Sequence, residues 1–205
     1  MPVVLLIRHG ENDYVKKRRL AGRLPGVHLN KKGQKQAQLL AEMLAKAPIK
    51  AIYSSPLERT LETAEPLAKA LGVEVVPHPG LIEVDCGEWQ DQSLGKLRRT
   101  KSWKLVQSAP SRFGFPGGES FAAAQLRIAN EIHLLAAQYE PKDMIICVSH
   151  SDPIRLAIAY FIGLPLDMFQ RLQISPASIS TLFIGRGGSS LISMNQAPSL
   201  PTPTG

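Results

Sequence analysis

Two unbroken apolar runs punctuate the chain, Val3-Val4-Leu5-Leu6-Ile7 and Met144-Ile145-Ile146-Cys147-Val148. Their shortness and β-branched content suit strands buried on both faces of a parallel sheet. Elsewhere the apolar positions recur at helical spacing. Leu57, Leu61, Ala64, Ala68 and Leu71 mark one helix face, stopped by Gly72. Phe121, Ala124, Ile128, Ile132, Leu135 and Tyr139 mark another, opened by Ser120 as N-cap and ended before Pro141. Ala37, Leu40, Ala41 and Leu44 predict a third helix; Ile154, Ala157, Ile158 and Phe161 predict a fourth. Ala51 to Tyr53, Val73 to Val76 and Ser178 to Ile184 read as further strands. Gly187-Gly188 reads as a turn into an edge strand near Leu191 to Met194. Strands alternating with helices predict an α/β fold, a three-layer α/β/α sandwich with a mostly parallel central sheet.

The stretch from Glu83 to Gly118 breaks this rhythm. It holds Gly87, Gly95, Gly114, Gly117 and Gly118, both tryptophans, and a basic cluster at Lys96, Arg98, Arg99, Lys101 and Lys104. Long irregular insertions in compact domains tend to cover sites. Residues 84–118 are therefore expected to form a lid, with a short helix around Leu94 to Val106. Residues 1–196 read as one domain, and 197–205, with Pro198, Pro201 and Pro203, as a disordered tail.

Composition narrows the class. A chain of 205 residues, 44% hydrophobic and 20% charged, can bury a substantial core. Cys86 and Cys147 have no paired spacing, and Cys147 lies in an apolar strand, so a reducing compartment is expected. Val3 to Ile7 is too short for a signal or spanning segment, which points to the cytoplasm. The formal charge of +7 favours anions as ligands. By itself it does not choose between phosphate esters, nucleic acid and anionic membranes.

The chemistry gathers at strand ends. Arg8-His9-Gly10-Glu11-Asn12 follows the first buried strand, and Ser149-His150-Ser151 follows the second. In open α/β sheets ligands bind beyond the carboxyl ends of strands. Arg59 begins the helix behind the turn Ser54-Ser55-Pro56 and would face the same edge. A lone histidine after a strand is more often structural than catalytic. Joint placement of two histidines and two arginines has no structural explanation, and it suits a phosphoryl group.

These motifs carry a resemblance. Arg8-His9-Gly10-Glu11-Asn12, Ser55-Pro56-Leu57-Glu58-Arg59-Thr60, Leu81-Ile82-Glu83 with Gly87 and Trp89, Pro116-Gly117-Gly118-Glu119-Ser120 and Val148-Ser149-His150-Ser151 occur in that order. The sequence resembles the histidine phosphatase superfamily, the family of the cofactor-dependent phosphoglycerate mutases. It looks closest to the small bacterial phosphatase and phosphomutase members. The resemblance implies a phosphoglycerate mutase-like fold and a phosphohistidine intermediate. His9 would be the nucleophile. Arg8, Arg59 and His150 would bind the phosphoryl oxygens, and Glu83 would be the acid and then the base. Asn12, Arg23, Ser149 and Ser151 are candidate phosphate or substrate contacts. No metal and no cofactor is expected.

His28, His78 and His133 read as ordinary residues, and Lys16-Lys17-Arg18-Arg19 as a solvated run that could also line the pocket mouth. Trp89-Gln90-Asp91 departs from the Trp-Glu-Gly common in the family. The long basic and aromatic insertion of glycolytic mutases is lacking. The first puts the leaving-group contacts in question; the second favours a phosphomonoesterase of small phosphorylated metabolites, with a phosphoglycerate mutase second. A non-catalytic anion- or nucleic-acid-binding module is a distant third. The expected partner is a small phosphorylated metabolite, with neither nucleic acid nor membrane; a homodimer stays open.

Overall fold

The computed structural model describes residues 2–185 and 187–198. The chain runs through β1 (Val3–Arg8), α1 (Asp13–Lys16), α2 (Lys31–Leu44), β2 (Ile49–Ser54) and α3 (Glu58–Leu71). It continues through β3 (Val75–Pro77), α4 (Leu94–Leu97), α5 (Lys101–Ser108), α6 (Phe121–Ala136) and β4 (Met144–Ser149). It closes with α7 (Ser151–Phe161), β5 (Ile179–Gly185) and β6 (Gly188–Gln196). The strands form one sheet in the order β3-β2-β4-β1-β5-β6. β3, β2, β4 and β1 are parallel; β5 and β6 are antiparallel additions on one side.

Why the two diagnostic runs are apolar at every position follows from the layers. Successive strand residues face opposite sides of a sheet. Leu5 and Ile7 of β1, with Ile146 and Val148 of β4, enter a core built with Leu40 of α2 and Leu67 of α3. Val4 and Leu6, with Ile145 and Cys147, enter a second core built with Ile128 and Ile132 of α6 and Ile154 of α7. Burying each such Leu or Ile contributes roughly 1.5–3 kcal/mol, and the central strands do so on both faces. The result is the expected three-layer α/β/α sandwich.

Two local expectations shift. β3 starts at Val75 rather than Val73, because Gly72 ends α3 in the left-handed region (φ 67) and Val73 N–H still bonds back to Ala68 O. The one helix expected around Leu94 to Val106 is two, α4 and α5. Ser93 accepts from Lys96 N–H and Thr100 from Trp103 N–H, so each hydroxyl opens its own helix.

Aromatic rings tie this region to the second core. Trp89 stacks on Trp103 with centroids 6.3 Å apart. Phe121 of α6 meets Phe115 at 5.3 Å and Phe169 at 4.9 Å. Cys86 and Cys147 are both buried free thiols. No helix among the described residues is long and apolar enough to cross a membrane. The tail expected from Ala197 falls mostly on residues 199–205, outside the described residues; Ala197 and Pro198 form no helix or strand.

Gly33 locks α2 against the loop after β1. A Cβ there would meet Glu11 O at 2.0 Å. Gly33→Ala should therefore displace that loop and destabilise the fold by about 1–3 kcal/mol. A thermal melt should read this as a midpoint lowered by several degrees; an unchanged midpoint would contradict the close approach.

Candidate active site

The β1–β4 register sets Arg8 opposite Ser149, and His9 N–H bonds Ser149 O at 3.0 Å. His9 and His150 thus emerge side by side, with ring centroids 5.2 Å apart. His9 Nδ1 lies 2.7 Å from Gly10 O. A carbonyl only accepts, so Nδ1 carries the proton and Nε2 carries the lone pair. The loop is pinned by Gly10 N–H donating to Thr63 Oγ1 at 3.0 Å, whose hydroxyl in turn donates to Arg59 O at 2.7 Å. Turn residue Ser55, after β2, bonds His150 Nε2 through Oγ at 2.8 Å.

Several buried nitrogens here are left over. Arg8 Nη1 donates to Ile174 O and Arg59 Nη2 to Gly22 O. Asn12 spends Oδ1 on capping α1 at Val15 N–H. Among the described residues, Arg8 Nε, Arg59 Nε and Nη1, Asn12 Nδ2 and His150 Nδ1 have no hydrogen-bond partner. An unsatisfied buried donor costs about 1–3 kcal/mol. Such a set gathered beside His9 is what a tetrahedral oxyanion would satisfy.

Glu83 faces them from the loop before Val84. Its Oε1 accepts from Val84 N–H at 2.9 Å, and its Oε2 lies 3.8 Å from His150 Nδ1. Burial, then the negative charge of Asp152, push its pKa up to about 7, against the pull of Arg59. Burial also acts on the bases, in the other direction. It holds His9 well below the usual histidine range, helped by the Arg59 and Arg8 cations. His150 is held low by burial and then Arg59. Arg8 drops to about 10 on burial and remains a cation at neutral pH.

A cavity of about 440 Å³ opens over this base. Arg8, His9, Asn12, Arg59, Glu83 and Ser151 line it, and His150 sits behind His9. Ser149 Oγ donates to Leu81 O at 2.6 Å, which ties down the segment before Glu83. Arg18 and Arg19 of the basic run reach the mouth; Lys16 and Lys17 do not line it. Arg23 is not among the lining residues either. It braces Glu83 from outside the cavity, with Nε donating to Glu83 O at 2.9 Å and Nη2 to Glu119 Oε1 at 2.9 Å. Arg127 donates to Gly80 O and Ile82 O at 2.9 Å and to Glu119 Oε1 at 2.7 Å.

Glu119 and Arg127 escaped the sequence reading. Glu119 was legible only as part of the Gly-Gly-Glu-Ser motif, since its partner Arg23 is 96 residues away. The Gln90-Asp91 departure also acquires a role. Gln90 Oε1 accepts from Arg23 N–H at 2.7 Å, and Asp91 pairs with Arg19, so both hold the loop rather than the site base. His28 pairs with Glu62, His78 with Glu131, and His133 packs on Phe161. Among the described residues no group of His, Cys, Asp and Glu is arranged to hold a metal ion.

Comparison with known proteins agrees with this geometry. The profile of the histidine phosphatase superfamily, branch 1, matches residues 4–197. The chain belongs to the histidine phosphatase superfamily. It is 28% identical over 95% of its length to phosphoserine phosphatase 1 of Hydrogenobacter thermophilus, covering 92% of that protein. It is 31% identical over 91% of its length to the 2,3-bisphosphoglycerate-dependent phosphoglycerate mutase of Thermoplasma acidophilum, covering 90% of it. Among solved structures it resembles a mutant phosphoserine phosphatase of Entamoeba histolytica in complex with phosphoserine. That match has a TM-score of 0.85 and 29% identity, over 95% of this chain and 97% of the other. The family member described here is thus a phosphatase-type enzyme, with both phosphatases and a mutase among its relatives.

The leftover donors predict anion binding. Inorganic phosphate or vanadate at about 100 times its Kd should stabilise the fold by ~2.7 kcal/mol, read as a raised melting midpoint. In Arg59→Met the same anion should give little or no shift. A full shift in that variant would place the anion elsewhere.

Proposed function

We propose that the chain is a phosphomonoesterase that hydrolyses small phosphorylated metabolites through a phosphohistidine at His9 Nε2. The observation that carries this reading is the set of partnerless buried donors around a histidine nitrogen whose proton is held on the other side of the ring. Nε2 attacks phosphorus in line, the N–P bond forms and the ester P–O bond breaks. Arg8, Arg59, Asn12 and His150 hold the oxygens, so they neutralise charge as it shifts towards the leaving group. Glu83, protonated, gives its proton to the departing alkoxide. As carboxylate it then takes a proton from the water that cleaves the N–P bond, releasing phosphate. Ser151, at the start of α7, is a further contact for the bound oxygens. Residues 1–196 act as one domain, with 84–118 as its lid. Cytoplasmic action on a soluble ester fits the absence of any membrane-spanning helix among the described residues.

The relatives named as phosphoserine phosphatases support hydrolysis. The Thermoplasma relative supports a second reading, a bisphosphoglycerate-dependent mutase. Assays of phosphoglycerates with and without 2,3-bisphosphoglycerate separate the two. Net release of inorganic phosphate without the bisphosphate supports hydrolysis, and isomerisation dependent on it supports the mutase.

His9→Ala should fold and bind phosphate yet lose about 10³-fold or more in turnover. Activity within tenfold of the parent would remove His9 as nucleophile.

The pH profile tests Glu83. Its pKa is raised to about 7, and phosphorylation needs the protonated form, so kcat/KM should fall as pH rises through about 7. His9 is held well below the usual range, so it stays unprotonated at neutral pH and adds no acid limb there. Glu83→Gln should abolish the alkaline limb and slow alkyl ester cleavage by about 10²–10⁴-fold. The phosphorylation burst with p-nitrophenyl phosphate should fall far less, because that leaving group departs without a proton.

A further inference from the structure

His150 follows the second central strand and is fully buried, so neither ring nitrogen can rely on water. The two nitrogens meet different neighbours. Nε2 lies 2.8 Å from Ser55 Oγ. Nδ1 has no hydrogen-bond partner among the described residues and lies 3.8 Å from Oε2 of Glu83, a residue lining the cavity. In a neutral imidazole one nitrogen donates and the other accepts. Which of them carries the proton decides whether the ring can donate on the side of Glu83.

The protons available at Ser55 decide it. A hydroxyl has one proton to give. Among the described residues Ser55 Oγ has two polar neighbours, His150 Nε2 and the N–H of Leu57 at 3.4 Å. A backbone N–H can only donate, so the acceptor left for the hydroxyl proton is His150 Nε2. The opposite arrangement, with Nε2–H donating to Oγ, leaves a fully buried hydroxyl proton without an acceptor, which is unfavourable. Ser55 is also held in place on both sides. Its N–H donates to Val148 O at 2.9 Å, and its carbonyl accepts from Ser54 Oγ at 2.9 Å and Thr60 Oγ1 at 2.8 Å. β2 pairs with β4 through Ser54 and Val148, so the hydroxyl and the ring meet just past the ends of neighbouring strands.

We propose that Ser55 is a positioning residue, whose hydroxyl donates to His150 Nε2 and so presents His150 to the phosphoryl group as a neutral Nδ1–H donor. This rests on the phosphomonoesterase reading above. Burial, and then the Arg59 cation, hold His150 in the neutral form that such a tautomer requires. Neutrality matters to Glu83. An imidazolium 3.8 Å from its carboxyl would favour the carboxylate and remove the proton that the leaving group needs. A neutral ring with its proton on Nδ1 supplies an oxygen-binding donor without that effect. An anion bound beside His9 then gives Nδ1–H the partner it lacks.

Nitrogen-15 NMR of the histidine-labelled protein, with and without vanadate, reads the tautomer directly. The His150 signals are identified by their loss in His150→Ala. At neutral pH the parent protein should show Nδ1 as the protonated, pyrrole-type nitrogen and Nε2 as the bare, pyridine-type one. In Ser55→Ala the two tautomers should mix. An Nε2–H ring or an imidazolium in the parent would overturn the proposal, as would an unmixed Nδ1–H signature in Ser55→Ala. Ser55→Cys fills the same space with only a weak donor and is read in the same way, should the alanine variant not fold. Vanadate affinity supplies the second readout. Ser55→Ala should weaken it by about three- to tenfold, the worth of one neutral hydrogen bond. In the His150→Ala background the same substitution should cost nothing more, because Ser55 acts through that ring. Equal losses in both backgrounds would mean that Ser55 serves the fold alone and would overturn its role. Tautomer and vanadate affinity are both read without turnover. Failure to hydrolyse any ester would therefore overturn the phosphomonoesterase reading and leave the tautomer result standing.

Discussion

The register of β1 against β4 is the constraint on which the site depends. Parallel pairing sets Arg8 beside Ser149 and closes with the bond from His9 N–H to Ser149 O. Two imidazoles from opposite ends of the sequence are thereby held 5.2 Å apart at one sheet edge. A slip of one residue would turn every side chain of β1 to the other face, moving Leu5 and Ile7 out of their core. The apolar demand of both layers therefore enforces the geometry of the chemical groups. Stability and function share one interaction.

Burial in this place acts on bases and acids in opposite directions. It keeps His9 unprotonated and pushes Glu83 up to about 7, because both shifts favour the neutral form of a desolvated group. In the proposed reaction a nucleophile needs its lone pair and a general acid its proton, and one dry environment would prepare both. The arginines resist the same pressure. Arg8, even lowered to about 10, keeps its charge, and Asp152 opposes the pull of Arg59 on Glu83. The Glu119–Arg23–Arg127 network then fixes the main chain carrying Glu83.

The cover over the site divides its work. Its aromatic side, from Trp89 to Phe121, anchors the insertion to the second core. Its basic side, across α4 and α5, faces solvent and the mouth. Phosphatases and a mutase both occur among the relatives. Arg8, His9, Arg59 and Glu83, from the motifs shared with the family, line the cavity together with residues of the insertion and of the loop after α1.

The sequence alone determined the layers and pointed to the residues that gather at the cavity. Unbroken apolar runs mean burial on both faces of a strand, helical spacing means burial on one, and both are local signals. His9, Arg8, Arg59 and His150 drew notice because each ends or follows a strand or opens a helix, and strand ends in such sheets converge, whereas Glu83, in a loop, was marked by the family resemblance alone. What local patterns could not carry, tertiary structure decided. Arg23, a candidate substrate contact, holds Glu83 O and pairs with Glu119, far away in sequence. The loop after α1 met the start of α4 only when Leu94 N–H bonded to Arg18 O. Such contacts join residues tens of positions apart, and the energy that selects them exists only once the chain has closed on itself.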